Sequence, residues 1–213
     1  MLTSSAKNKS NIPPLKSGSY LAVCYGVIDL GEQYNEKYGN SSRKILIMWE
    51  LPGEKIQYNG EQSSRITSKM YTNSLGEKAI LRKDLISWRE KDFTQDELKC
   101  FDITEMIDRP CMLSIVQSTN NGKTYSNVTS VMSLPNGIPA PKRTLDIITF
   151  DLDHDPLSKL DALPGWIVTR IKSSTTYAER LAGDADQEGD EDISESSAQF
   201  QEDLSESSEE LPF

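Results

Sequence analysis

RITSKMYTNSLGEKAILRKDLISW, residues 65–88, is where the hydrophobic period of the chain changes. Over Arg65–Thr72 the pattern alternates by two. Arg65, Thr67, Lys69 and Tyr71 share one face, and Ile66 and Met70 lie on the other, which predicts a strand. From Ser74 the period lengthens. Ser74-Leu75-Gly76-Glu77 has the spacing of a capping box, and Ile80, Leu81, Leu85 and Trp88 follow at helical intervals to give one apolar face. A strand therefore passes directly into a helix.

Working outward, Gly18–Leu30 (GSYLAVCYGVIDL) is β-branched and aromatic, and reads as a first strand. Residues 31–43 read as a polar loop carrying Tyr34 and Tyr38. Lys44–Leu51 (KILIMWEL) is a second strand, stopped by Pro52-Gly53, and Asn59-Gly60 is a hairpin turn before the third. After the helix, Thr94…Glu97 and Asp102…Glu105 repeat the capping spacing and predict one or two short helices. Pro110–Ser118 is a fourth strand, Asn120-Asn121-Gly122 a tight turn, and Lys123–Ser133 a fifth strand. Residues 134–144 are a Pro/Gly linker. Beyond it lie a sixth strand over Leu145–Leu152 and a helical stretch over Leu157–Ser173, interrupted at Pro164-Gly165. These either cover the sheet or mediate self-association.

The chain is thus mainly β with helices. Three strands, one helix and two strands match an OB-fold-like five-stranded barrel with a helix between strands 3 and 4, although a generic α+β sheet domain gives the same string. The expected organisation is a flexible arm over 1–16, the barrel over 17–134, a linker with extra strand and helical extension over 135–182, and a disordered acidic tail over 183–213. No apolar run reaches the ~18 residues of a membrane span, and the N-terminus has no apolar stretch of a signal peptide. Three cysteines without CxxC spacing fit a reducing compartment and argue against a disulfide framework or zinc site. One histidine, His154, leaves little room for histidine-based chemistry.

Charge is segregated. The chain carries 23 Lys and Arg against 33 Asp and Glu, all the basic residues lie at or before Arg180, and 12 acidic residues follow Gly183. The body is mildly basic and the tail a polyanion, so a net charge of −10 does not exclude a nucleic-acid partner. The tail holds too few apolar residues to offset an ordering cost of ~1–2 kcal/mol per residue. It ends Glu209-Glu210-Leu211-Pro212-Phe213, where a carboxylate, an aromatic ring and a proline form a compact ligand for a basic pocket.

An acidic run closed by Leu-Pro-Phe resembles the C-terminal tip of bacterial single-stranded DNA-binding proteins, and several phage proteins of that role end similarly. YTNSLGEKAILRKDLISW and KILIMWELP also resemble a family of small phage proteins encoded among replication and recombination genes, over roughly residues 18–135. The resemblance implies single-stranded DNA binding in the cytoplasm of an infected bacterium. It also implies recruitment of replication or recombination enzymes through residues 209–213, and no enzymatic activity, cofactor or metal. A homo-oligomer is an open option.

A sequence-tolerant groove for single strands needs cations at phosphate spacing and aromatic faces for bases. The third strand offers Arg65, Lys69 and Tyr71. The loop after the first strand offers Tyr34 and Tyr38, with Lys37, Arg43 and Lys44. Trp49 is either core or a stacking face, and Lys123 and Tyr125 on the fifth strand are further candidates. Tyr20, Tyr25 and Trp88 are assigned to the core. Asp151-Leu152-Asp153-His154-Asp155 has the carboxylates of a metal site but no paired motif, and reads as a solvated strand end. Arg82-Lys83 reads as exposed helix charge. No phosphate-cradling glycine pattern is present. An adaptor whose acidic segment mimics DNA toward another protein is the alternative function, but it gives no reason for Arg, Lys and Tyr to alternate on one strand.

The tail generates a test. Deleting 183–213 is expected to tighten single-strand binding, most at low salt, because a tethered polyanion competes at an effective concentration that reaches the mM range. Removing Phe213 alone should leave DNA affinity unchanged and abolish partner capture in a pull-down. Capture that survives this loss but fails on neutralising the acidic residues overturns the tip reading.

Overall fold

A computed structural model describes residues 12–36, 38–58 and 60–183. Residues 1–11 of the expected arm, Lys37, and the acidic tail beyond Gly183, including 209–213, lie outside the described residues. Six strands form one sheet: β1 (Gly18–Asn35), β2 (Asn40–Tyr58), β3 (Glu61–Thr72), β4 (Pro110–Asn120), β5 (Lys123–Met132) and β6 (Ile148–Phe150). The order is β3-β2-β1-β4-β5, with every neighbour antiparallel. β3 and β5 therefore both run parallel to β1, and to each other. β6 pairs in parallel with Gly26–Ile28 of β1. Since β2 takes the other edge there, β6 continues the edge that β4 leaves at Val23.

The sheet curls into a half-barrel. β1 shifts register against β2 between Cys24 and Gly26 and again between Asp29 and Glu32, and such bulges bend a strand and sharpen its twist. The outer strands approach one another, with Lys69 Nζ of β3 lying 3.4 Å from the Thr129 carbonyl of β5. Both expected hairpins close, although Asn59 of the first lies outside the described residues. Tyr58 pairs with Glu61, and Asn121 and Gly122 both have positive φ (50° and 71°), the geometry of a two-residue turn matched to strand twist.

Inside the curl lies the main core: Ala22, Cys24 and Val27 of β1, Ile45, Ile47, Trp49 and Leu51 of β2, and Leu113 and Ile115 of β4. Helix α1 (Ile80–Arg89) closes it with Leu81, Leu85 and Trp88, and Trp88 Nε1 donates to the Pro110 carbonyl at 2.9 Å. The Thr94–Glu97 capping box forms and starts α2 (Gln95–Lys99), and Asp102 caps a short 3-10 turn over Ile103–Met106. The expected box at Ser74–Glu77 does not form. Ser74 Oγ accepts only from Gly76 N, and α1 begins after Ala79 without a side-chain cap.

The outer face of β1 and β2 is covered as well, so the extension expected over 145–173 packs on the sheet. Tyr25, Ile28, Leu30, Leu46 and Met48 pack against Phe150, Leu152, Leu160, Ile167 and Ile171. These last come from β6, the turn that follows it (Leu152), a 3-10 turn (Leu157–Ala162) and helix α3 (Gly165–Lys172). A further helix, α4, spans 175–183. The expected sixth strand shrinks to three residues. Glu50, fully buried on this face, anchors the incoming linker: its carboxylate accepts from Thr144 N at 2.8 Å, Leu145 N at 3.0 Å and the Thr144 hydroxyl. Burial opposes its charge, but hydrogen bonds from Thr144, Leu145 and Ser64 outweigh burial and hold its pKa below the ordinary value.

Two further expectations change. Residues 31–43 are mostly strand, and β1 and β2 continue as a hairpin that turns at 36–39. Pro52-Gly53 does not stop β2; the strand absorbs it as a bulge between Leu51 and Lys55. The arm is pinned in its second part. Leu15 is buried in the main core, the Pro13 carbonyl accepts from Arg65 at 2.5 Å, and the Leu15 carbonyl accepts from Ser126 Oγ at 2.9 Å. Residues 13–15 are thus a strap held by one donor from β3 and one from β5.

Gly31 marks the tightest approach of the cover. Its φ is +69°, and a Cβ there would lie 2.6 Å from Ser174 Oγ and 2.7 Å from Leu152 Cδ2. Gly31→Ala is expected to cost roughly 2–4 kcal/mol from left-handed strain and overpacking together, read as a lowered denaturant midpoint. An unchanged midpoint would show that α3 and α4 are not held against β1.

Candidate nucleic-acid interface

The register of β2 and β3 decides which side chains of β3 face inward. Ile45 lies opposite Tyr71, Ile47 opposite Lys69, Trp49 opposite Thr67 and Leu51 opposite Arg65. Directly paired residues share a face, so the face of β2 that holds Ile45, Ile47, Trp49 and Leu51 carries the Arg65–Tyr71 face of β3 to the inside. The expected outward face is inverted. Tyr71 is 4% exposed within the main core, while Ile66 and Met70 are 52% and 45% exposed. The burial of Lys69 and Arg65 is tolerable because their long stems lie along apolar surface while the polar tips find partners.

Those partners are specific. Asp84, on the inner side of α1, accepts from Lys69 Nζ at 2.7 Å and from the Tyr71 hydroxyl at 2.8 Å. Burial first, then the Asp84 charge, pushes the Tyr71 phenol far above its ordinary pKa. Arg65 reaches the strap. Trp49 is wholly buried, 5.9 Å between ring centroids from Trp88, and its indole N–H meets no protein acceptor. Neither Trp49 nor Tyr71 can stack on a base. Arg43 is also engaged: its guanidinium bonds to Asp29 and, at 2.7 Å, to Asp153 of the cover. The Asp29 hydrogen bond foremost raises its pKa. The carboxylates of Asp29, Asp151 and Asp153 converge within 4.8 Å of one another; Asp153 meets the Arg43 cation of β2, while Asp151 pairs with His154 and Asp155 with Lys159. Arg82 bonds to Asp92 at 3.2 Å.

What remains outside is at the hairpins and the β3 rim. Tyr34 and Tyr38 are 63% and 69% exposed on the β1–β2 hairpin, and Tyr125 is 48% exposed beside Lys123 on the β4–β5 hairpin. These hairpins leave opposite ends of β1, because the end of β4 lies beyond Gly18 while β1 itself ends at Asn35. Lys44 is half-buried and donates to Thr72 Oγ1 at 2.7 Å. Between the end of β3 and the start of α1 lies a cleft of about 680 Å³ lined by Lys44, Lys69, Met70, Lys78 and Ile80, among others. No family model matches this chain, and neither does any curated protein.

The sequence reading missed Asp84 and the cleft. Asp84 had a signal: it sits three residues after Leu81 and four before Trp88, on the apolar side of the helix, where a lone carboxylate requires a cation or hydroxyl opposite. The cleft had none, since it depends on how the 73–79 connection leaves β3.

Trp49→Ala is expected to cost ~3–5 kcal/mol of stability through the cavity it leaves. Tyr71→Phe should cost ~1–2 kcal/mol by removing one bond to a buried carboxylate. Both are read by chemical denaturation. A Tyr71→Phe protein as stable as the parent would mean that Lys69 alone satisfies Asp84.

Proposed function

We propose that this protein binds single-stranded DNA without sequence specificity through an OB-type barrel, and that it has no catalytic activity of its own. The observation that carries the reading is the order of the elements in space. A bent β1 pairs with β2 on one edge and β4 on the other, α1 falls between β3 and β4, and parallel β3 and β5 face each other across a seam. A five-stranded, partly open barrel of this kind binds oligonucleotides along its second and third strands and through the loops joining strands 1–2 and 4–5. Tyr34 and Tyr38 occupy the first of those connections, and Lys123 and Tyr125 flank the second.

The cover changes where a strand can run. Leu46 and Met48, on the outer face of β2, are occupied by residues 145–183. The available path is therefore the exposed rim of β3, with Ile66 and Met70, together with the two hairpins. Its phosphate partners are Lys44, Lys78 and Lys123, which no carboxylate holds among the described residues. The resemblance to phage single-stranded DNA-binding proteins favours a role in phage replication or recombination inside the infected host. In this reading the acidic segment screens the path and recruits partner enzymes.

Titration of labelled oligo-dT against duplex, at two salt concentrations, tests this. Single strands should bind more tightly than duplex. With three phosphates neutralised, log K should fall against log[salt] with a slope of about −2. Tyr34→Ala and Tyr38→Ala should each weaken binding by ~1–3 kcal/mol without changing stability. Equal affinity for duplex, or binding indifferent to salt, overturns the proposal.

A further inference from the structure

The cleft between β3 and α1 combines features that the path along the hairpins lacks. Its volume of about 680 Å³ falls within the roughly 300–1,000 Å³ of small-ligand sites. Cations enter it from three separate elements: Lys44 from β2, Lys69 from β3 and Lys78 from the connection ahead of α1. Lys69 is neutralised by Asp84, which leaves Lys44 and Lys78 to meet an anion. Both can do so, because an ammonium has three donors and the single bond of Lys44 to Thr72 leaves two. Glu77 is the one opposing charge among the lining residues.

The remaining wall is apolar and exposed. Met70 is 45% and Ile80 62% exposed to solvent, although a folded chain gains by burying such side chains. Thioether and branched aliphatic surfaces are flat or adaptable enough to lie against a base. The first turn of α1, which also lines the cleft, has no acidic residue and no side-chain cap, so nothing in that turn competes for an anion. A lone phosphate would use the lysines and ignore Met70 and Ile80. A nucleoside would use the apolar wall and ignore the lysines.

We propose that this cleft is a subsite for one nucleotide unit, with the phosphates on its two sides at Lys44 and Lys78 and its base against Met70 and Ile80. The proposal rests on the single-strand reading and places one unit of the strand at the β3–α1 junction, away from both hairpins.

Two measurements on the full chain test it. Lys78→Gln and Lys44→Gln should each weaken oligo-dT binding about three- to five-fold and make the salt slope shallower by about 0.7, while Glu77→Gln should tighten binding to a similar degree. Unchanged affinity and slope in all three variants overturn the subsite. Separately, dTMP should shift the backbone amide resonances of Lys78–Arg82, and thymidine should shift them far less. Equal effects of dTMP and thymidine, or none from either, also overturn it. Shifts from dTMP in a protein that fails to bind oligo-dT would leave the subsite standing and remove the single-strand function. Oligo-dT binding that is blind to Lys44, Lys78 and Glu77 would do the reverse.

Discussion

β1 is apolar on both faces, and the rest of the molecule follows from that. Alternate residues of Ala22–Leu30 point to opposite sides of the sheet, yet all but Asp29 are buried. A sheet with two apolar faces is stable only between two covering layers. One layer is the curl of the sheet itself, completed by α1. The other has to come from outside the five-stranded unit, and residues 145–183 provide it. Without them Tyr25, Ile28, Leu30, Leu46 and Met48 would form a contiguous exposed patch. The extension is therefore a structural half of the fold, and the buried carboxylate of Glu50 fixes where it begins.

The same constraint governs the cations. With Ile45, Ile47 and Trp49 of β2 inward, the pairing leaves β3 no choice of face, so Arg65 and Lys69 must find partners within the fold. They do so against the strap carbonyl and Asp84. Arg43 meets a similar demand where the cover reaches the β1–β2 hairpin. Basic residues that look like a ligand surface in the sequence thus act as fasteners between layers. Of the basic residues named on the sheet, those left for a partner are Lys44, where the chain leaves β3, and Lys123, at the β4–β5 hairpin.

This explains what could be read in advance. Alternation, helical spacing and turn residues depend on neighbours within a few positions, so every strand, the turns at 59–60 and 121–122, and helices α1 and α2 were legible. Facing was not legible on β3, because each of its faces mixes apolar and polar groups. Only the pairing with Ile45, Ile47 and Trp49 settles it. Strand length was underestimated at Gly31 and Pro52-Gly53 because bulges absorb residues that punctuate a chain locally. Of the site, the exposed tyrosines and Lys44, Lys123 and Tyr125 could be found by composition. Asp29 and Asp153, the partners of Arg43, lie 14 and 110 residues away, and no local pattern reports them, whereas Asp84 shows itself only as an unmatched carboxylate on an apolar helix face.

The strap has a consequence for the order in which the molecule is assembled. Its contacts are among the most distant in the chain: Leu15 meets Ser126 across 111 positions, and Ser17 meets Gln117 across 100. On the ribosome residues 13–17 are made before any strand of the sheet, but their seat does not exist until β4 and β5 have emerged. Long-range closures of this kind form late in folding. The five-stranded sheet can therefore be complete while its seam is still open, with the strap, made ahead of β1, seated only after β5.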